Sequence, residues 1–244
     1  MEQVFDLEDE FLRLFDLCRA ETMTSTDRMY ALYKATCHVV ERDIPGDLVE
    51  CGVWRGGSVM LMALTLLSRG CTDRTIWLYD TFAGVTPPGD EDVQAMSGRR
   101  AGDILNENER SADDPFWGIA SRAVVESNLR RTGYPMNQFR LVEGDVLSTI
   151  PAEAPATLSL LRLDTDWYKS TKHELNELYP RLSRGGILII DDYGYWRGAR
   201  KATDEFFLSL DDRPLLNRID YTGRICVKPC DCGASTTQPR SNAK

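Results

Sequence analysis

The stretch that decides the fold runs from Leu158 to Tyr193. It reads L-S-L-L-R-L-D-T-D-W over 158–167, then a helix-like segment, then G-G-I-L-I-I-D-D-Y over 185–193. Twice an apolar run of strand length stops on a pair of acids: Asp164 with Asp166, then Asp191 with Asp192. Carboxylates at the ends of buried strands are costly unless something cationic or polar meets them. In an open parallel sheet, ligands bind at the carboxyl ends of the strands. Four acids converging there form a hard, oxygen-only site, suited to Mg²⁺ or another hard divalent ion. The two runs therefore predict a metal site that also holds a base.

Outward from this stretch the same rhythm repeats. Asp47–Cys51, D-L-V-E-C, predicts a strand; 52–57 is a glycine-rich turn, and 58–68 is so apolar that it predicts a helix buried against a sheet. Further strands are predicted over 75–79, 139–142, 157–163 and 186–190, with helices over 117–131, 170–182 and 198–208. Strands alternating with helices predict an α/β fold, a mostly parallel doubly wound sheet. Two runs, 216–221 and 224–228, joined at Thr222-Gly223, read as a closing hairpin. Ahead of the sheet, apolar residues at helical spacing predict helices over 7–19 and 28–41, inside an N-terminal helical segment, 1–44. The segment 82–114 is long and rich in Gly, Pro, Asp, Glu and Arg, which predicts a lid insertion. One domain over 1–232 and a disordered polar tail over 233–244 complete the expected organisation.

Composition narrows the function. The chain has 244 residues and a formal net charge of −9, which argues against a nucleic-acid or anionic-membrane surface. No apolar run reaches membrane length, and the acidic N-terminus does not resemble a signal peptide, so a cytoplasmic location is expected. Cys18, Cys37, Cys51 and Cys71 sit in apolar segments and read as reduced core thiols. Cys226, Cys230 and Cys232 cluster, but no fourth zinc ligand lies near them; the only histidines are His38 and His173. The amphipathic N-terminal helix leaves room for a homo-oligomer interface.

Four constellations can carry chemistry. The first is V-E-C-G-V-W-R-G-G-S over 49–58, whose glycines allow a tight strand-to-helix turn and close approach of a ligand. A dinucleotide fingerprint needs glycine two positions after Gly52; Trp54 stands there, which favours a nucleoside without a pyrophosphate. The second is Asp80, an acid at the end of a strand and well placed for two ribose hydroxyls. The third is Glu143-Gly144-Asp145, where a carboxylate can accept from an adenine amino group. The fourth is the opening stretch: in extended backbone Asp164 and Asp166 share a face and Thr165 turns away. Asp191 and Asp192 are adjacent, so one turns away unless the strand has already ended. An ion held by three of these acids leaves the fourth free to take a proton. The competing reading makes Asp166 and Asp192 helix caps. His173 reads as a helix-packed histidine, and Arg197 and Lys201 are candidates to bind substrate or balance the acids.

At these residues the chain resembles the macrocin O-methyltransferase (TylF-type) family of S-adenosylmethionine- and Mg²⁺-dependent sugar O-methyltransferases. The resemblance rests on 49–58, on L-Y-D-T-F-A-G-V over 78–85, V-E-G-D-V over 142–146, L-R-L-D-T-D-W-Y-K-S-T over 161–171, and G-G-I-L-I-I-D-D-Y over 185–193. It implies a class I S-adenosylmethionine methyltransferase fold, a Rossmann-like seven-stranded sheet with helices on both faces and a reversed last strand. It implies that Glu50 and the turn holding Gly52, Trp54, Arg55, Gly56 and Ser58 bind the methionine part of the cofactor. Asp80 with Thr81 would hold the ribose, Asp145 and Val146 would meet the adenine, and Asp164 would complete the cofactor set. Asp164, Asp191 and Asp192 match the metal ligands, and Asp166 matches the general base. The N-terminal segment and the insertion would close over the site. A small-molecule glycoside acceptor, a deoxysugar on a natural product such as an antibiotic, is the expected partner.

Three other readings share these residues. A catechol or another phenol also chelates Mg²⁺ and could replace the sugar as acceptor. A non-catalytic nucleoside-binding protein keeps the fold without turnover. A dehydrogenase is opposed by Trp54 in the turn.

Overall fold

The structure, a computed structural model, describes residues 6–112 and 114–230. The tail over 233–244 and Cys232 lie outside the described residues. Five strands run parallel: β1 (Asp47–Cys51), β2 (Ile76–Asp80), β3 (Phe139–Glu143), β4 (Leu158–Leu163) and β5 (Leu182–Ile190). β6 (Asn217–Arg218) and β7 (Arg224–Val227) follow, and the sheet order is β3-β2-β1-β4-β5-β7-β6. β7 is antiparallel to both β5 and β6, so the sheet is mixed and its last strand is reversed. β1 pairs with β2 on one side and β4 on the other, which makes the β1–β4 boundary the switch point of the sheet. A crevice opens outside the carboxyl ends of strands at such a point.

Helices cover both faces. Among them are α1 (Asp9–Asp16), α2 (Thr26–Glu41) and α3 (Gly57–Ser68), with α4 (Ala101–Glu107) in the insertion and α5 (Arg122–Arg130) after it. A single turn, α6 (Val146–Thr149), then α7 (Tyr168–Leu178) and α8 (Arg197–Leu208), complete the set. Strand alternation divides the core. Leu48, Ile76, Leu78, Leu160, Ile187 and Ile189 pack with the first three helices and α5. Val49, Cys51, Tyr79, Leu161, Leu188 and Ile190 pack under α7 and α8. α3 is apolar on every side, and its residues from Gly57 to Leu66 are all buried, as a helix wedged between sheet and helices must be. Truncating Leu61 inside it would cost about 2–5 kcal/mol.

Several expected boundaries shift. The first helix stops at Asp16, and a short 3₁₀ turn follows over Arg19–Glu21. The helix expected over 117–131 begins only at Arg122, because Ser121 caps it by accepting from Val124 N. The strand expected over 216–221 shrinks to two residues. The insertion contains α4, whose Ala101, Ile104 and Leu105 pack against Trp167, Trp196 and Ala199. Two isolated bridges, Val93 to Arg100 and Gln94 to Trp196, tie it further. Among the described residues, no helix is long and apolar enough to cross a membrane.

Candidate active site

A cavity of ≈ 430 Å³ opens at the carboxyl ends of β1 to β5. That lies in the usual range for small-molecule sites, about 300–1,000 Å³. Gly52, Val53 and Trp54 line it after β1, Asp80 and Thr81 after β2, and Gly144, Asp145 and Val146 after β3. Asp164, Thr165, Asp166 and Trp167 line it after β4, and Asp191, Asp192, Tyr195 and Trp196 after β5. The N-terminal segment adds Met23, Thr24 and Arg28, and the insertion with its flank adds Ile104, Leu105 and Phe116.

The glycine-rich turn is held open by Asp80. Its Oδ2 accepts from Val53 N at 2.6 Å and Trp54 N at 3.1 Å, and its Oδ1 accepts from Phe82 N at 2.7 Å. Gly52 has φ +82°, and a Cβ there would lie 1.9 Å from the carbonyl oxygen of Asp164. Only glycine lets the ends of β1 and β4 approach this closely. Asp145 caps α6 by accepting from Leu147 N at 2.9 Å. Four residues of the sequence-predicted cofactor set do not line the cavity: Glu50, Arg55, Gly56 and Ser58. Glu50 is buried against Arg162, Arg55 reaches Glu21, and the Ser58 hydroxyl contacts Met29. Gly56 takes a left-handed conformation ahead of α3.

The four strand-end acids do converge, by a different route from simple alternation. β4 ends at Leu163, and Asp166 adopts φ +66°, so it belongs to a turn. In that turn Asp166 N donates to Asp192 Oδ2 at 3.1 Å, and Asp166 Oδ1 accepts from Trp196 Nε1 at 2.7 Å. The Thr165 hydroxyl donates to the Glu174 carboxyl. β5 has ended at Ile190, which lets both Asp191 and Asp192 reach the cavity. Neither Asp166 nor Asp192 caps a helix; the cap positions of α7 and α8 are Trp167 and Trp196.

One oxygen each from Asp164, Asp191 and Asp192 lies within 4.8 Å of the others. Two guanidinium groups hold Asp164 and Asp191, while the Asp192 carboxyl accepts from Asp166 N. Arg162 Nη1 reaches Asp164 Oδ2 at 2.8 Å and also bonds Glu50, while its Nη2 reaches Asp191 Oδ1 at 2.5 Å and Thr24 at 3.0 Å. Arg28 bonds the other Asp191 oxygen and reaches Asp220 at 3.0 Å. Glu50, Asp164, Asp191 and Asp220 pair with Arg28 and Arg162, whereas the carboxyls of Asp166 and Asp192 accept from the Trp196 indole and Asp166 N; six acids against two cations leave four formal negative charges if all ionise. Burial, and then the charge of Asp164, pushes Asp166 up to about 7. Burial likewise pushes Asp164 up to about 6, against the pull of Arg162. A site so short of positive charge, with hard oxygen donors already gathered, fits a hard divalent cation.

Sequence reasoning did not find Arg28, Arg162 or Trp196. Arg197 and Lys201, candidates there to bind substrate or balance the acids, do not line the cavity, and Lys201 lies 3.6 Å from Glu91. His173 packs as expected, with Nε2 2.9 Å from Ile150 O. The described cysteines are free thiols; Cys226 is buried and Cys230 exposed.

The sheet order and the crevice at its switch point define a class I S-adenosylmethionine-dependent methyltransferase. The model of the macrocin-O-methyltransferase (TylF) family matches residues 16–227, and the chain belongs to that family. It is 34% identical over 204 residues to demethyldecarbamoylnovobiocin O-methyltransferase of Streptomyces niveus, covering 84% of this chain and 74% of that one. It is 36% identical over 204 residues to 8-demethyl-8-(2,3-dimethoxy-alpha-L-rhamnosyl)-tetracenomycin-C 4'-O-methyltransferase of Streptomyces olivaceus, again covering 84% and 74%. The solved O-methyltransferase NovP superposes with a TM-score of 0.74 at 31% identity, covering 86% of this chain and 83% of that one. The protein is an O-methyltransferase.

Proposed function

We propose that the protein methylates a sugar hydroxyl of a glycosylated natural product, with Mg²⁺ or another hard divalent ion held by Asp164, Asp191 and Asp192. The observation that carries this reading is the gathering of those three carboxylates, with Asp166 beside them, on one cavity wall. The sugar acceptor is supported by the rhamnosyl-bearing substrate in the name of the Streptomyces olivaceus relative.

S-Adenosylmethionine would supply the methyl group, its S–CH₃ bond breaking as the O–CH₃ bond forms and S-adenosylhomocysteine leaving, and the turn at Gly52–Trp54 together with Asp80, Thr81, Asp145 and Val146 would hold it. The cation supplies Lewis acidity that lowers the pKa of an acceptor hydroxyl. Asp166 takes the proton from that hydroxyl. Burial raises its basicity, which favours a general base. Trp196 holds one oxygen of Asp166, and Trp167 and Trp196, in edge contact at 5.1 Å between centroids, give the cavity an apolar wall on that side. Arg28 and Arg162 hold Asp164 and Asp191 in place, and much of the rate would come from that alignment.

A panel of glycosides and catechols, incubated with labelled S-adenosylmethionine, tests the acceptor. Transfer to glycosides alone supports the proposal. Transfer to catechols alone overturns its sugar part, and no transfer to any glycoside with a natural-product aglycone opposes it.

A further inference from the structure

Among the described residues of the insertion one acid, Asp92, is fully buried, and the proposed chemistry does not use it. Its Oδ1 accepts from Tyr168 N at 2.7 Å and its Oδ2 from Gly89 N at 2.6 Å. Its carbonyl accepts from Ala101 N at 2.8 Å, at the start of α4. A Cβ on Gly198 would lie 2.0 Å from Asp92 Oδ1, so the first turn of α8 packs directly on the carboxylate. Arg197 N donates to Val93 O at 2.9 Å, and Ala95 N to Tyr195 O at 2.8 Å.

These contacts answer a local problem. The cap positions of α7 and α8 are both tryptophans with no side-chain cap bond. The first amides of a helix need acceptors, and a carboxylate is favoured there by the helix dipole. For α7 the acceptor comes from 76 residues earlier in the chain. Tyr168 lies two residues after Asp166, and Gly198 six after Asp192. One carboxylate therefore touches the far ends of both acid-bearing loops.

We propose that Asp92 is a positioning residue: it registers the 164–168 loop against the 191–198 loop and so sets where Asp166 stands over the acceptor. The same bonds make the insertion a pinned wall of the site at this point. The proposal rests on the functional reading above, in which Asp166 receives the proton.

Three variants test it: Asp92→Ala, Asp92→Asn, which keeps the shape but sets an amide against a backbone N–H, and Gly198→Ala, which drives a methyl into the carboxylate. Each is measured for hydrogen exchange in peptides holding the Tyr168 and Arg197 amides, for S-adenosylhomocysteine affinity, and for kcat and KM. Exchange at both amides is expected to quicken at least tenfold in Asp92→Ala. kcat is expected to fall about 10–100-fold, with KM for the acceptor changed less and S-adenosylhomocysteine affinity within about twofold. Gly198→Ala should be costly alone and add little to Asp92→Ala, because the two changes break one contact. Unchanged exchange at these amides overturns the proposal, as does a kcat within twofold of the parent in a folded variant. If Asp92→Ala does not fold, the other two variants carry the same readouts. If the parent methylates no glycoside, the functional reading fails by itself, and the exchange arm decides whether Asp92 registers the loops.

Discussion

The indole N–H of Trp196 donates to Asp166 Oδ1 at 2.7 Å, joining the end of the β5 loop to the proposed base. Trp196→Phe keeps an aromatic side chain and removes that donor. Turnover is expected to fall about tenfold, beyond any loss of stability from the smaller buried ring, with S-adenosylhomocysteine affinity near that of the parent. Asp166→Asn should lose about 10²–10⁴ in kcat, again with cofactor affinity kept. Single-turnover methyl transfer measures both, and parent-like rates in either would deny Asp166 its role.

Arg162 is the electrostatic keystone of the site. It is 1% exposed and meets Glu50, Asp164 and Asp191. Arg162→Met leaves buried carboxylates without their partner, which costs on the order of 3–5 kcal/mol. Urea unfolding at neutral pH checks this. A parent-like midpoint would show that the acids do not depend on the guanidinium.

Glu174 gives a pH dependence of stability. It is fully buried, and burial pushes its carboxyl up from 4.5 to about 8. Between those values the folded protein keeps a proton that the unfolded chain has released, so stability falls as pH rises through the window. The slope from this one group is at most about 1.4 kcal/mol per pH unit. Glu174→Gln, which keeps the Thr165 contact, removes that slope. Chemical unfolding at pH 5, 6.5 and 8 should show the variant gaining on the parent as pH rises; parallel curves would contradict it.

Gly52 separates two strand ends. Gly52→Ala places a methyl 1.9 Å from the Asp164 carbonyl oxygen at φ +82°. Both the left-handed backbone and the clash oppose it, and destabilisation of about 3 kcal/mol or more is expected, with weakened S-adenosylhomocysteine binding. Thermal unfolding and calorimetry read the two effects.

Much of this architecture was legible in the sequence because its signals are local. Apolar runs ending in acids marked β2, β4 and β5, the glycine-rich turn after D-L-V-E-C marked β1, and the crevice follows from their parallel order. Arg162 was legible too and was passed over: on a strand it shares a face with Asp164, two residues on. Glu174 also carried a signal, since Thr171, Glu174, Leu175 and Leu178 recur at helical spacing on the buried face of α7. Arg28 carried none. It lies 163 residues before Asp191, and only the docking of α2 brings them together. α4 is seven residues long with a glycine inside, too short for its periodicity to stand out. The turn at Asp166, with positive φ, depends on Asp192 and Trp196, which its own neighbours do not announce.

The central claim is that Asp164, Asp191 and Asp192 hold a divalent cation on which methyl transfer depends. Turnover of the best glycoside acceptor, measured after exhaustive chelation and then during titration with Mg²⁺, tests it most directly. The account predicts that activity vanishes on chelation and returns saturably with Mg²⁺ in the parent, while Asp191→Ala and Asp192→Ala do not recover. Full turnover in the chelated enzyme would contradict it.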